Sequence, residues 1–317
     1  MFIEQAYKGD NSLWKVILTT ILSGGVFFLN ILVFIFVPDD FLEQAYAAQS
    51  GPPSIVNFLI VLLPFAFLLG LLFLLVRFLH ERSILSLTTS RPKIDFKRFW
   101  FAFFLIVLSS LILFAIEYFS DPSAISVSLN MPRFLIFLLI SLLLLPLQIG
   151  FEEYFFRGFL MQQIGIASRN RWLPLVLTSV FFGVCHAANP EINEMGMWLL
   201  VYYIGTGFLL GIIVLMDQGL ELTLGYHFGN NLIASILISY QHSALQSETI
   251  FKYVNDPDPA EMLHSMLIGM VISYPLLILI LAKVFKWTNW KQRLFGKVNP
   301  PIIESELQTQ YHENAHL

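Results

Sequence analysis

Long apolar runs separated by short polar stretches set the pattern of this sequence. Runs approaching the roughly 17 to 25 residues needed to cross about 30 Å of hydrocarbon fall near Val16–Val37, Ile55–Leu79, Phe99–Ile116, Arg133–Gly150, Leu173–His186, Met197–Met216, Leu220–Tyr240 and Met262–Phe285. The pattern predicts an all-α polytopic membrane bundle of about eight transmembrane helices. The fourth run continues through a pair of glutamates to about Ile166, and the fifth begins soon after Arg171.

The polar stretches differ in sign. Arg77, Arg82, Arg91, Lys93, Lys97 and Arg98 share one connection, Arg169 and Arg171 another, and Lys283, Lys286, Lys291, Arg293 and Lys297 follow the last run. The alternate connections are acidic: Asp39, Asp40 and Glu43, then Glu117 and Asp121, then Glu191 and Glu194, then Glu248, Asp256, Asp258 and Glu261 against Lys252. By the positive-inside rule the basic connections face the cytoplasm, and both termini with them. Ala45–Ala47 has the small-residue spacing of a signal-peptidase site, but the apolar run before it is longer than a usual signal core, so the first span is read as uncleaved.

Composition agrees with the pattern. Hydrophobic residues make up 56% and charged residues 13%, too little charge to cover a water-soluble surface. The net charge of −4 and the lack of a basic tract interleaved with aromatics exclude nucleic acid as an expected partner. Cys185 is the single cysteine, so no intrachain disulfide can form. No linker or repeat divides the chain: residues 1–290 are read as one membrane domain with its motif core at about 133–240, and 291–317 as a disordered cytoplasmic polar tail. Gly205, Gly207 and Gly211 read as helix-packing positions, and Phe99–Phe104 as a lipid-facing surface.

Within this apolar chain, Glu152 and Glu153 stand side by side at membrane depth, where carboxylates are costly and usually mark function. The candidate partners His186, His227 and Asn231 lie on further apolar segments. Taking Arg169–Arg171 as the tip of a helical hairpin, Glu153 is sixteen positions before Arg169 and His186 fifteen after Arg171, so antiparallel helices bring them level. Helix neighbours point about 100° apart, while positions four apart share a face. Glu153 and Arg157 are therefore read as a structural ion pair, and Glu152 as the carboxylate facing the cavity. His227 and Asn231, also four apart, look into one cavity, and Phe182 walls it one turn before His186.

These residues carry a resemblance. Glu152-Glu153-Tyr154-Phe155-Phe156-Arg157 fits EExxxR, Phe182 to His186 fits FxxxH, and His227 to Asn231 fits HxxxN, in that order on successive apolar segments. The chain resembles the CAAX prenyl protease and bacteriocin-processing (Abi, CPBP) family of intramembrane proteases. The resemblance implies peptide-bond hydrolysis in a helical cavity open to the cytoplasm. It assigns Glu152 and His186 to water activation, His227 and Asn231 to the oxyanion hole, and Glu153 with Arg157 to support. The implied partners are a hydrophobic or lipidated peptide or protein substrate and membrane lipid. The expected setting is a bacterial cytoplasmic membrane.

Chemistry independent of the resemblance points the same way: a buried carboxylate beside imidazole can handle protons, and His and Asn donors suit a tetrahedral intermediate. Three rivals remain. Glu152, His186 and His227 make a two-histidine, one-carboxylate set that zinc could use, although HExxH is absent; the expectation is catalysis without a cofactor. A transporter would bind at the same cluster without cutting, but broken segments in two matching halves are lacking. A non-catalytic adaptor or immunity-type protein would keep the fold, yet the four polar residues are intact. Each residue also has a bland reading: Glu153 with Arg157 as an interface ion pair, Glu152 as a snorkelling carboxylate, and each histidine as a hydrogen-bonded core residue. His80, His242, His264 and His312 are read as bland.

Overall fold

In the computed structural model, described for residues 1–38, 40–42, 44, 53–240 and 243–301, each of the eight expected apolar segments is helical. Among the described residues six helices have the length and composition to cross a membrane. In our numbering they are α1 (Leu13–Phe36), α2 (Ile55–Leu74, extended by a π-helical turn over Leu75–Leu79), α4 (Phe96–Ser120), α5 (Met131–Glu153), α9 (Leu199–Asp217) and α11 (Pro259–Val284). A short helix α3 (Ile84–Thr88) precedes α4. The helix beginning as α5 runs on through a π-helical turn at Tyr154–Leu160 into α6 (Met161–Ser168), so the glutamate pair sits inside one 38-residue rod. The other two segments are shorter helices, α7 (Trp172–Val184) and α10 (Glu221–Ile236), with α8 (Pro190–Met195) and α12 (Trp290–Phe295) completing the helices. The chain is an integral membrane protein of all-α architecture. Asp39, Glu43, Ala45–Ala47, His242, His312 and the tail from residue 302 lie outside the described residues.

Among the described residues there is one small sheet. Strands β1 (Ile125–Val127), β2 (Ile238–Ser239) and β3 (Phe251–Tyr253) form it in the order β1-β3-β2, antiparallel then parallel. It joins the acidic connections, where Tyr253 donates to Glu117 at 2.8 Å and Arg133 pairs with Glu248 at 2.9 Å.

The basic connections meet at the other end. Asp217 accepts from Arg91 at 2.5 Å, from Arg98, and from the Trp287 indole at 3.1 Å. Arg171 pairs with Glu4, and Arg82 is buried against Ser86 and Gln162. The polar tail begins later than residue 291. Helix α12 is formed, Val298 is fully buried, and its amide donates to the Arg169 carbonyl at 3.1 Å. Val298 is apolar, so its burial is favourable.

Two close helix contacts fix the interior. A Cβ on Gly225 would lie 2.0 Å from the Phe99 carbonyl oxygen, and one on Gly229 2.5 Å from Ile106, so α10 lies backbone-close on α4. A Cβ on Gly207 would lie 2.7 Å from the Ser179 carbonyl oxygen, which seats α9 on α7. Gly24 on α1 admits the Phe155 ring, and Phe27 stacks on Phe151 at 5.6 Å. The Phe99–Phe104 stretch is only partly a lipid surface. Trp100 and Phe104 are exposed, but Phe103 is buried and stacks on Phe228 at 5.2 Å, because the glycine face of α10 draws that side of α4 inward.

Candidate active site

Glu152 and Glu153 end α5, where the backbone passes into the wider π-helical turn. Such turns interrupt the regular 100° step and occur often at functional positions. Both carboxylates are buried, and both meet His227, which is also buried. The imidazole Nδ1 donates to Glu153 Oε1 at 2.9 Å, while Nε2 lies 3.6 Å from Glu152 Oε2. The spacing argument excluded two adjacent glutamates facing one cavity. The structure corrects it: an imidazole presents nitrogens on two edges, so one ring inserted between the carboxylates reaches both.

Glu153 also accepts from Arg157 at 3.0 Å, one turn along, and Arg157 reaches the Gly207 carbonyl at 3.4 Å. The guanidinium carbon lies 4.1 Å from the Phe182 ring centre, a cation–π contact out of water. Arg157 and Glu153 are both fully buried. A buried pair of this kind is costly to desolvate and strongly destabilising to break. Its effect here is to hold Glu153 as an acceptor, which fixes the proton of His227 on Nδ1 and turns Nε2 toward Glu152.

His186 stands apart from this pair. It lies in the turn after α7, its Nδ1 donates to the Phe182 carbonyl at 2.7 Å, and its ring stacks on Tyr203 at 4.3 Å. Among the described residues Glu152 makes its direct imidazole contact with His227. Helix α7 ends at Val184, and the turn carries His186 toward α9 instead of across to α5. Phe182 links the groups, 4.7 Å from His186 and 6.4 Å from His227 between ring centres.

Asn231, one turn beyond His227, joins through a residue the sequence reading passed over. Gln148 donates to Glu152 Oε1 at 2.5 Å and accepts from Asn231 at 3.3 Å, bridging α5 and α10. The four-residue spacing from Gln148 to Glu152 was visible in the sequence and would have found it. Tyr203 carried no such signal, since only the packing of α9 on α7 brings it to His186.

The possible zinc ligands Glu152, His186 and His227 do not form a metal-holding group. Among the described residues no three His, Cys, Asp or Glu side chains converge in that way. His227 engages Nδ1 with Glu153 and His186 engages Nδ1 with the Phe182 carbonyl; since the three side chains do not gather round one point among the described residues, no step is drawn through zinc.

Residues 131–233 match the family model described as type II CAAX prenyl endopeptidase Rce1-like. This segment is similar to the Rce1-like family. It contains all three motifs and every contact just described, the stack of His186 on Tyr203 included. The chain is further similar to Uncharacterized protein YyaK of Bacillus subtilis (strain 168), 29% identical over 248 residues, covering 74% of this chain and 81% of the relative. No solved structure matches.

Proposed function

We propose that the Rce1-like segment makes this protein an intramembrane endopeptidase that cuts a hydrophobic or lipidated peptide or protein, in a bacterial cytoplasmic membrane. The observation that carries the reading is the set of buried Glu152, His227 and Gln148 with half-buried Asn231, linked across two helices and backed by Glu153 and Arg157. A structural role alone would not require four polar side chains to be gathered in an apolar interior, where each must be desolvated.

The 3.6 Å between Glu152 Oε2 and His227 Nε2 is longer than a direct hydrogen bond, and both atoms can contact one water beside them. In the proposed reaction Glu152 takes a proton from that water, and the oxygen attacks the scissile carbonyl. The Asn231 amide stabilises the oxyanion, a contribution of about 3 kcal/mol for one donor, and His227 adds to it in the form protonated on both ring nitrogens. Glu152 then returns the proton to the leaving amine. Gln148 keeps Glu152 and Asn231 in register. His186, with Nδ1 occupied, presents Nε2 as a second acceptor for water.

Replacing Glu152 by Gln keeps the shape and removes the base. Cleavage of membrane peptides, read by comparing the membrane peptidome of cells carrying Glu152→Gln with that of the wild type, should fall by about 10²- to 10⁴-fold. The protein should accumulate in the bilayer as before. Undiminished processing by this variant would remove the catalytic assignment and leave a non-catalytic binding protein.

A further inference from the structure

The resemblance puts access to the site on the side of the basic connections, yet a cavity of about 530 Å³ lies at the opposite end of the bundle. That volume is typical of a ligand site. Its inner wall includes Tyr203, whose ring stacks on His186 at 4.3 Å, and Ala234, one turn beyond the Asn230–Asn231 pair on α10. The cavity therefore reaches to one aromatic ring's thickness from His186.

The walls have a distinct chemistry. Met195 from α8 with Met262 and Met266 from α11 supply an adaptable apolar surface. Glu191 lines the same space: its Oε1 accepts from the Ala244 amide at 2.7 Å, and its Oε2 has no hydrogen-bond partner among the described residues. Burial pushes the Glu191 carboxyl above the usual carboxylate range, with the Ala244 amide opposing, so a cation placed beside it would supply a missing counter-charge. Exposed Asp256 adds a second carboxylate at the cavity and exposed Lys252 a single cation, leaving the lining net acidic. Ile238 and Ser239 form part of the wall, and their strand β2 is an edge of the sheet. An edge strand offers backbone donors and acceptors to an extended chain.

We propose that this cavity binds the substrate chain itself, as an extended amphipathic peptide lying along β2 with a basic side chain against Glu191, and passes it by Tyr203 to the catalytic cluster. The delivery step rests on the protease reading; the binding step does not. The cavity then selects on charge and backbone extension, while the buried cluster performs the cut. Access comes from the end opposite the basic connections.

The test uses the full chain in nanodiscs and two fluorescent amphipathic peptides of identical sequence, one with a central lysine and one with norleucine in its place. Binding is measured on the Glu152→Gln protein, so that catalysis does not enter. The lysine peptide should bind about tenfold more tightly than the norleucine peptide. Glu191→Gln should abolish that preference, and Met266→Trp, which fills the cavity from α11, should weaken both peptides. Equal binding of the two peptides, or a preference that survives Glu191→Gln and Met266→Trp, would overturn the proposal. Cleavage of the lysine peptide by the wild type is read separately: charge-selective binding without any cleavage would overturn the delivery step and the protease reading while upholding the peptide site.

Discussion

Gln148 shows how much of the site depends on one neutral side chain. Its amide donates to Glu152 and accepts from Asn231, so the proposed base and an oxyanion donor share a single holder. In Gln148→Leu both partners lose that bond, and Glu152 stays buried without it, at a cost of about 1–3 kcal/mol. If the cost falls on the transition state, kcat should drop by roughly 5- to 150-fold with KM and accumulation in the membrane unchanged. Single-turnover cleavage by purified protein checks this; a change in KM alone would assign Gln148 to substrate binding. Arg157 acts differently. Arg157→Ala would leave Glu153 buried without its cation, and about 3–5 kcal/mol of stability should be lost. Thermal unfolding in detergent should show a lower Tm before any effect on chemistry is considered.

Helices carry these residues to one place through backbone contacts that are visible only as glycines in the sequence. Gly225 and Gly229 bracket His227 on α10, and both face α4. With that side of the helix pressed on Phe99 and Phe103, His227 and Asn231 are left facing α5. Gly225→Ala would put a methyl group 2.0 Å from the Phe99 carbonyl oxygen. The helices must then separate, at about 1–3 kcal/mol for an overpacked contact, and cleavage should fall together with Tm. Gly70→Ala on α2 is the matching control. Nothing lies within 4 Å of its added methyl group, so stability and cleavage should stay at wild-type levels. The π-helical turn after Glu153 is the other element-scale device, because it ends the regular helical step where the two carboxylates must flank one imidazole.

At the scale of the whole molecule, the N-terminal segment is held against the basic end. Phe2 and Ile3 are fully buried, the Phe2 amide donates to Gln218 at 2.8 Å, and Gln162 donates to the Phe2 carbonyl at 3.1 Å. His80 is part of this latch: Nδ1 donates to the Asp10 carbonyl at 2.7 Å and Nε2 accepts from Thr19 at 2.9 Å. Desolvation lowers the His80 pKa, with nearby Arg82 and Lys15 acting the same way against the Asp10 hydrogen bond. The folded protein therefore favours the neutral imidazole. Its contribution to stability is complete above the unfolded value near 6.5 and is lost as pH falls below it. Protection factors of the amides in residues 2–16, corrected for the intrinsic pH dependence of exchange, should be lower at pH 5.5 than at pH 7.5, and His80→Gln should reduce that difference.

The sequence by itself determined the membrane class, the helical segments and the motif residues, because lipid demands long apolar helices and makes each intramembrane charge conspicuous. It also located the Glu153–Arg157 contact, which depends only on helical spacing. Tertiary structure decided the partners of those residues. His227 rather than His186 meets Glu152, both glutamates share one imidazole, and Tyr203 joins His186 from a different helix. These contacts depend on how α10 docks on α4, where α7 ends and how the π-helical turn rotates the chain. Spacing along one helix fixes which residues share a face, but the rotation and offset between helices arise from side chains and glycines far apart in sequence.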